Sequence, residues 1–186
     1  RRRLIITDAL FSMDGDTAPL PELCDLAERF DAMLIVDEAH ATGVFGKEGR
    51  GIAEWQGVDD RVTVRVGTLS KAIGAMGGFV TGSAPLIEWL WNKSRTQIYS
   101  TALPPHVCAA AMAAVDIICN EPERRTRLRA TATKFRPLLQ EAGIEALGEK
   151  CSPVVPVVLQ DPERATKVAA RLESRGFLVA SIRPPT

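Results

Sequence analysis

Three apolar runs in the first part of the chain each close on polar residues: RLIITDALF (residues 3–11), AMLIVDEA (32–39) and RVTVRVGT (61–68). Between the first two, Leu20, Leu23, Ala27 and Phe30 recur at helical spacing over residues 20–30. MDGDTAP (13–19) reads as a turn, and HATGVFGKEGRG (40–51) as a glycine-rich loop. GGFVTG (77–82) reads as a fourth strand. Strands alternating with helices predict an α/β fold with a mostly parallel sheet flanked by helices. Continuous apolar or valine-rich runs further predict strands covered on both faces. In open sheets of this kind, ligands bind beyond the carboxyl ends of the strands. Parallel strands therefore bring three polar sets to one edge: Ser12 with Asp14; Asp37, Glu38 and His40; Thr68, Ser70 and Lys71.

The third set has an unusual setting. Lys71 is the one long charged side chain among Gly67, Ser70, Ala72, Gly74, Ala75, Gly77 and Gly78. Taken singly, each residue has a plain role. Lys71 reads as a solvated lysine in a flexible loop, and Asp37 as a strand-end carboxylate capping a loop. His40 reads as bonded to backbone, and Ser12 and Thr68 as turn or cap residues. Together they match the needs of one cofactor, pyridoxal phosphate. Its aldehyde takes a lysine amine (Lys71) as a Schiff base. Its pyridine nitrogen needs an anion (Asp37), its phenolic oxygen a donor (His40), and its phosphate hydroxyls and N–H groups (Ser12, Thr68). Asp37 ends an apolar strand, where a partly desolvated carboxylate needs such a partner. Small residues around Lys71 let the backbone approach a flat ring.

Further along, a helix is expected near Leu86–Lys93, then an alanine-rich helix over 104–119. Asn120 is expected to cap a new helix, with Pro122 in its first turn, running to about Leu139 before Gly143. SPVVPVVLQ (152–160) and FLVASI (177–182) read as strands. Between them, Asp161 caps a helix that starts at Pro162 and ends at Gly176. The division expected is 1–119 as part of one α/β domain and 120–186 as part of a smaller one. The abrupt start in a strand and the end at SIRPPT suggest a fragment of a longer protein.

Net charge and cysteines narrow the classes. Lys plus Arg and Asp plus Glu are both 23, a neutral balance that disfavours nucleic-acid binding. Arg124, Arg125, Arg127 and Arg129 are expected to be a solvated helix face. No apolar run reaches the length of a transmembrane helix. Cys24, Cys108, Cys119 and Cys151 have no zinc-site spacing to one another or to His40 and His106, so no metal is expected. The first three fall in helical apolar patterns and are expected to be buried. Free thiols point to a reducing cytoplasm.

At these residues the chain resembles the α-oxoamine synthases, fold-type I pyridoxal-phosphate enzymes. The matching stretches are FSMDGDTAPL, LIVDEAHATGVFGKEGRG, GTLSKAIGAMGGF, IYSTALPP and SIRPPT, in family order across nearly the whole chain. VDEAH with TLSK marks the superfamily, while IYSTALPP and IRPPT point to its biotin-pathway branch. The resemblance implies the large domain of such a transferase with part of its small C-terminal domain. It implies Lys71 holding the cofactor, Asp37 on the pyridine nitrogen and His40 on the phenolic oxygen. Ser12 and Thr68 would serve the ring or its phosphate. Ser100 and Thr101 would reach the phosphate of a neighbouring subunit in a homodimer. The implied reaction joins L-alanine to pimeloyl-CoA or pimeloyl-ACP with decarboxylation. The family's N-terminal half and its substrate-carboxylate arginine fall outside the chain, so these 186 residues are expected to be inactive alone.

Three alternatives stay open. A sister enzyme (2-amino-3-ketobutyrate ligase, 5-aminolevulinate synthase or serine palmitoyltransferase) shares the chemistry. A pseudoenzyme would keep only the fold, against which the intact Asp37, His40 and Lys71 argue. LIVDEAH also contains the DEAH letters of a magnesium-binding helicase motif. No G-x-x-x-x-G-K-[ST] segment accompanies it, and TLSK puts the serine before the lysine.

Overall fold

The computed structural model describes residues 2–184, so the last two residues of SIRPPT lie outside it. Four strands form one sheet in the order β1 (Arg3–Asp8), β2 (Ala32–Asp37), β3 (Val64–Thr68), β4 (Gly78–Gly82). β1, β2 and β3 run parallel, and β4 returns antiparallel to β3. The mostly parallel α/β architecture thus follows the sequence pattern.

α1 (Leu20–Arg29) buries Leu20, Cys24 and Ala27 against the sheet. Phe30, expected on that face, is the C-cap and is 48% exposed. The core gathers under β2 and the loop after it, with Leu34, Val36, Phe45 and Ile52 fully enclosed. Inside the long loop the sequence reading missed a single turn, α2 (Ile52–Trp55).

β1 departs from expectation. Leu4 and Ile6 are 53% and 68% exposed, because β1 is an edge strand and no described layer covers that face.

The second half is helical: α3 (Ala84–Lys93), α4 (Arg95–Ile98), α5 (Pro105–Asn120), α6 (Pro122–Glu141) and α7 (Pro162–Glu173). Asn120 is not a cap. It is the last residue of α5, and Glu121 occupies the α6 N-cap position without a capping bond. α5 continues through Asn120, so that residue is helical and cannot take the extended backbone of a cap, and Glu121 alone joins the two helices. Asp161 caps α7 as expected, accepting from the N–H groups of Glu163 and Arg164.

Neither SPVVPVVLQ nor FLVASI is a strand. A strand needs a ladder partner, Pro153 and Pro156 lack donors, and neither segment pairs with another among the described residues. Cys108 and Cys119 are exposed rather than buried, since α5 is covered along little of its surface.

The arginine cluster is not simply solvated. Arg125 is 5% exposed and donates to the carbonyls of Ile118 and Lys47, and the Arg129 guanidinium lies 4.7 Å from the Trp55 ring centroid. α6 packs this face against the loop around α2, where a planar guanidinium can serve two carbonyls or stack on an indole.

Candidate active site

Register aligns the carboxyl ends of the parallel strands. Asp8 stands beside Asp37, and Asp37 beside Val66. The backbone locks the ends together: Ala9 N–H donates to Asp37 O (2.8 Å), and Glu38 N–H to Val66 O (2.7 Å). Past that point each chain turns away, leaving side chains at the edge.

Asp37 is half-buried, and its Oδ1 accepts from Ala39 N–H at 2.8 Å, which ends the strand in a tight turn. His40 sits on that turn, also half-buried. Burial and the nearby Lys71 ammonium push its imidazole below the usual range, while Asp8 and Asp37 oppose them. These four groups therefore share one electrostatic neighbourhood.

Glu38 does not join them. Its carboxylate is 1% exposed and accepts from Ile52 N–H (2.9 Å) and Ala53 N–H (2.8 Å) at the start of α2. Burial is the main cause that pushes this carboxyl up, partly offset by those two bonds. Gly51, at φ +123°, leaves room for it; any Cβ there would strike the carboxylate. The DEAH letters thus form no open acidic pair, since one carboxylate is spent on folding the loop.

Lys71 sits exposed in a hairpin between β3 and β4. Leu69 N–H donates to Gly77 O and Gly74 N–H to Lys71 O, both at 2.9 Å, which shapes the tip. Thr68 Oγ1 lies 2.7 Å from Ser70 Oγ and donates to Gly77 O at 3.2 Å, pinning the base. Ile73 is the one residue of the tip that turns inward.

Ser12 and Asp14 are exposed on the turn after β1. That turn is closed by Gly15 N–H to Phe11 O and buttressed by Glu149 N–H to Gly15 O. Ser100 and Thr101 are exposed between α4 and α5, and the nearby Leu103 packs against Gly77 at the hairpin base. The structure thus gathers Asp37, His40, Thr68 and Lys71 at one edge. Ser12 is on the adjoining turn, and Ser100 and Thr101 on a segment running past it.

Sequence reading passed over Asp8. Its signal was present: IITD ends β1 as LIVD ends β2.

The family model described as aminotransferase class I and II matches residues 1–186. An 8-amino-7-oxononanoate synthase of Anaeromyxobacter dehalogenans is 52% identical over all of this chain and 47% of its own length. Among solved structures, SPT with a PLP internal aldimine superposes with TM-score 0.92 at 37% identity, over 98% of this chain and 46% of that one. An 8-amino-7-oxononanoate synthase of Francisella tularensis gives TM-score 0.86 at 31% identity, over 99% and 54%. The chain spans about half the length of the curated relatives it matches.

Proposed function

The chain belongs to the aminotransferase class I and II family, and from that premise we propose that it is the lysine-bearing part of a pyridoxal-phosphate-dependent acyltransferase. The enzyme joins L-alanine to a pimeloyl thioester (pimeloyl-CoA or pimeloyl-ACP), with loss of carbon dioxide, to give 8-amino-7-oxononanoate for biotin synthesis. The observation that carries the reading is 52% identity along the whole chain to a synthase of that name, with a lysine, a carboxylate and an imidazole at one sheet edge.

The residues present fit the cofactor. Asp37 has one carboxylate oxygen committed to Ala39 and the other without a hydrogen bond among the described residues. It can hold the proton on a pyridine nitrogen. His40 can donate an N–H to the phenolic oxygen. Thr68 and Ser12 offer hydroxyls to the ring or its phosphate, and the exposed Lys71 amine is free for covalent attachment. When bound, pyridoxal phosphate supplies an electron sink for the carbanion formed at the amino acid Cα.

The chain's own residues would supply part of the remaining chemistry. Lys71 Nζ takes the proton from alanine Cα and later returns one, as a positioned amine can. Asp37 would hold the proton on the pyridine nitrogen, which would keep the bound cofactor electron-withdrawing. Ser100 and Thr101 would face the phosphate of the partner subunit in a homodimer. We assign residues 1–119 to the large domain and 120–186 to the small one. No helix among the described residues is long and apolar enough to cross a membrane, and four unpaired thiols support a reducing cytoplasm.

Serine palmitoyltransferase chemistry is the second reading, favoured by the TM-score of 0.92 to SPT. One experiment separates them. The full-length protein is mixed with alanine or serine and pimeloyl or palmitoyl thioesters, and thiol release is followed. Alanine with a pimeloyl thioester should be the productive pair. Borohydride reduction and peptide mapping should then place the pyridoxyl mass on Lys71; a mass on Lys47 or Lys93 would end the assignment.

A further inference from the structure

We propose that Arg136 is a positioning residue of this site: it pins residues 147–154 as a strap across the turn after β1, and the strap fixes the turn that presents Ser12. The purpose of the strap rests on the reading of Ser12 as a hydroxyl for the cofactor; its geometry does not. Arg125, Arg129, Ala132 and Arg136 recur at helical spacing on one face of α6. Arg136 is half-buried there, and its guanidinium forks into the strap. Nη1 donates to Leu147 O, and Nη2 to Val154 O at 2.7 Å, with Ser152 O at 3.5 Å. Residues 147–154 have no ladder partner among the described residues. The fork therefore does for their carbonyls what a sheet would otherwise do.

Strap and turn meet backbone to backbone. Glu149 N–H donates to Gly15 O at 2.9 Å. A Cβ on Gly148 would stand 2.7 Å from the carbonyl oxygens of both Asp14 and Gly15, and a Cβ on Gly15 would stand 2.7 Å from Val154 O. Both glycines also hold left-handed backbone, at φ +90° and +69°. Val154 O is the same carbonyl that Arg136 holds. Ser152, fully buried, braces the strap internally: its N–H donates to Glu149 O, and its Oγ accepts from Val154 N–H. The turn itself closes through Gly15 N–H to Phe11 O and Phe11 N–H to Asp16 O, both at 2.9 Å, with Ser12 inside the loop so formed. A connection serving only to join α6 to α7 could run clear of this turn. The one present is shaped to fit it at both glycines.

The test compares Arg136→Lys and Gly148→Ala in the full-length protein. An ammonium cannot reproduce the fork, and the methyl that Gly148→Ala adds would meet the Asp14 and Gly15 carbonyls. Hydrogen exchange without cofactor, read by peptide mapping, should be faster over residues 9–18 in both variants and unchanged over α1 and β2. Pyridoxal phosphate binding, followed by absorbance, should weaken by about fivefold, the worth of one hydrogen bond. With Ser12→Ala already present, the same variants should weaken it by less than about twofold. Exchange over 9–18 that keeps the wild-type rate in both variants overturns the proposal. So does exchange that rises everywhere, which would make Arg136 a general support, and so does a binding loss that is equal with and without Ser12. The functional reading fails separately, if wild-type enzyme releases no thiol with alanine and a pimeloyl thioester; the exchange comparison needs no cofactor and decides the strap in either case.

Discussion

α1 and α5 make opposite use of their side chains. α1, LPELCDLAER, is half polar, yet buries Leu20, Cys24 and Ala27. α5, PHVCAAAMAAVDIICN, is far more apolar, yet buries only Ala111 and leaves Met112 70% exposed. The same contrast divides the molecule. Among the described residues, every large, fully buried side chain except Ser152 lies between Leu10 and Ile52, while α3 and α7 bury nothing. Amphipathic spacing tells which face of a helix seeks cover. It does not tell whether the chain in hand supplies it.

Four measurements probe this contrast. Phe45 is fully buried against Trp55, edge to face at 5.9 Å. Phe45→Ala should cost about 3–5 kcal/mol in urea unfolding of the full-length protein; a loss below about 1 kcal/mol would mean the core lies elsewhere.

Arg125 links the two regions, donating to Lys47 O at 2.6 Å and to Ile118 O. Arg125→Ala strands both carbonyls and should cost about 2–3 kcal/mol. Arg125→Lys should rescue little, because an ammonium cannot reproduce the fork. Full rescue would show that charge, not shape, makes the link.

Glu38 tests the buried side by pH. Its carboxyl is pushed above the ordinary value of 4.5, mainly by burial. The folded state therefore holds this proton more tightly than the unfolded state. Its stabilising share is full below the unfolded value and is lost as pH rises through the folded one. Relative to Glu38→Gln, wild type should lose stability as pH rises past the ordinary carboxyl value of 4.5; a gain with rising pH would refute burial as the dominant cause.

Met112→Gln, on the exposed side, should change the stability of the 186-residue chain by less than about 0.5 kcal/mol. It should also reduce light scattering from self-association. A cost above about 2 kcal/mol would show that α5 is buried after all.

Much of the site edge was legible because strand ends announce themselves. LIVD and RVGT stop apolar runs with groups that cannot stay inside, and parallel topology then aligns them. The inward turn of Glu38 was not legible, because it depends on N–H groups fourteen and fifteen residues away. Burial of Arg125 was hidden for a similar reason, since its acceptor at Lys47 is 78 residues distant. FLVASI failed as a strand because strand propensity is a preference for a pleated surface, and pairing needs a neighbour that local sequence does not contain.

The β3–β4 hairpin carries a consequence for how its sequence can vary. Gly67 pairs with Phe79, whose ring occupies the space a Cβ on Gly67 would need. Sliding β4 by one residue would bring Val80 opposite Gly67 and turn Phe79 to the other face. Ring and glycine therefore act as a length gauge for the segment between Thr68 and Gly78. Apart from Lys71 and the positive-φ Gly74 and Gly77, the exposed tip positions are open to exchange, but an inserted or deleted residue must either unseat the ring or displace Lys71. A randomised library over this segment should recover many sequences of one length and almost none of another.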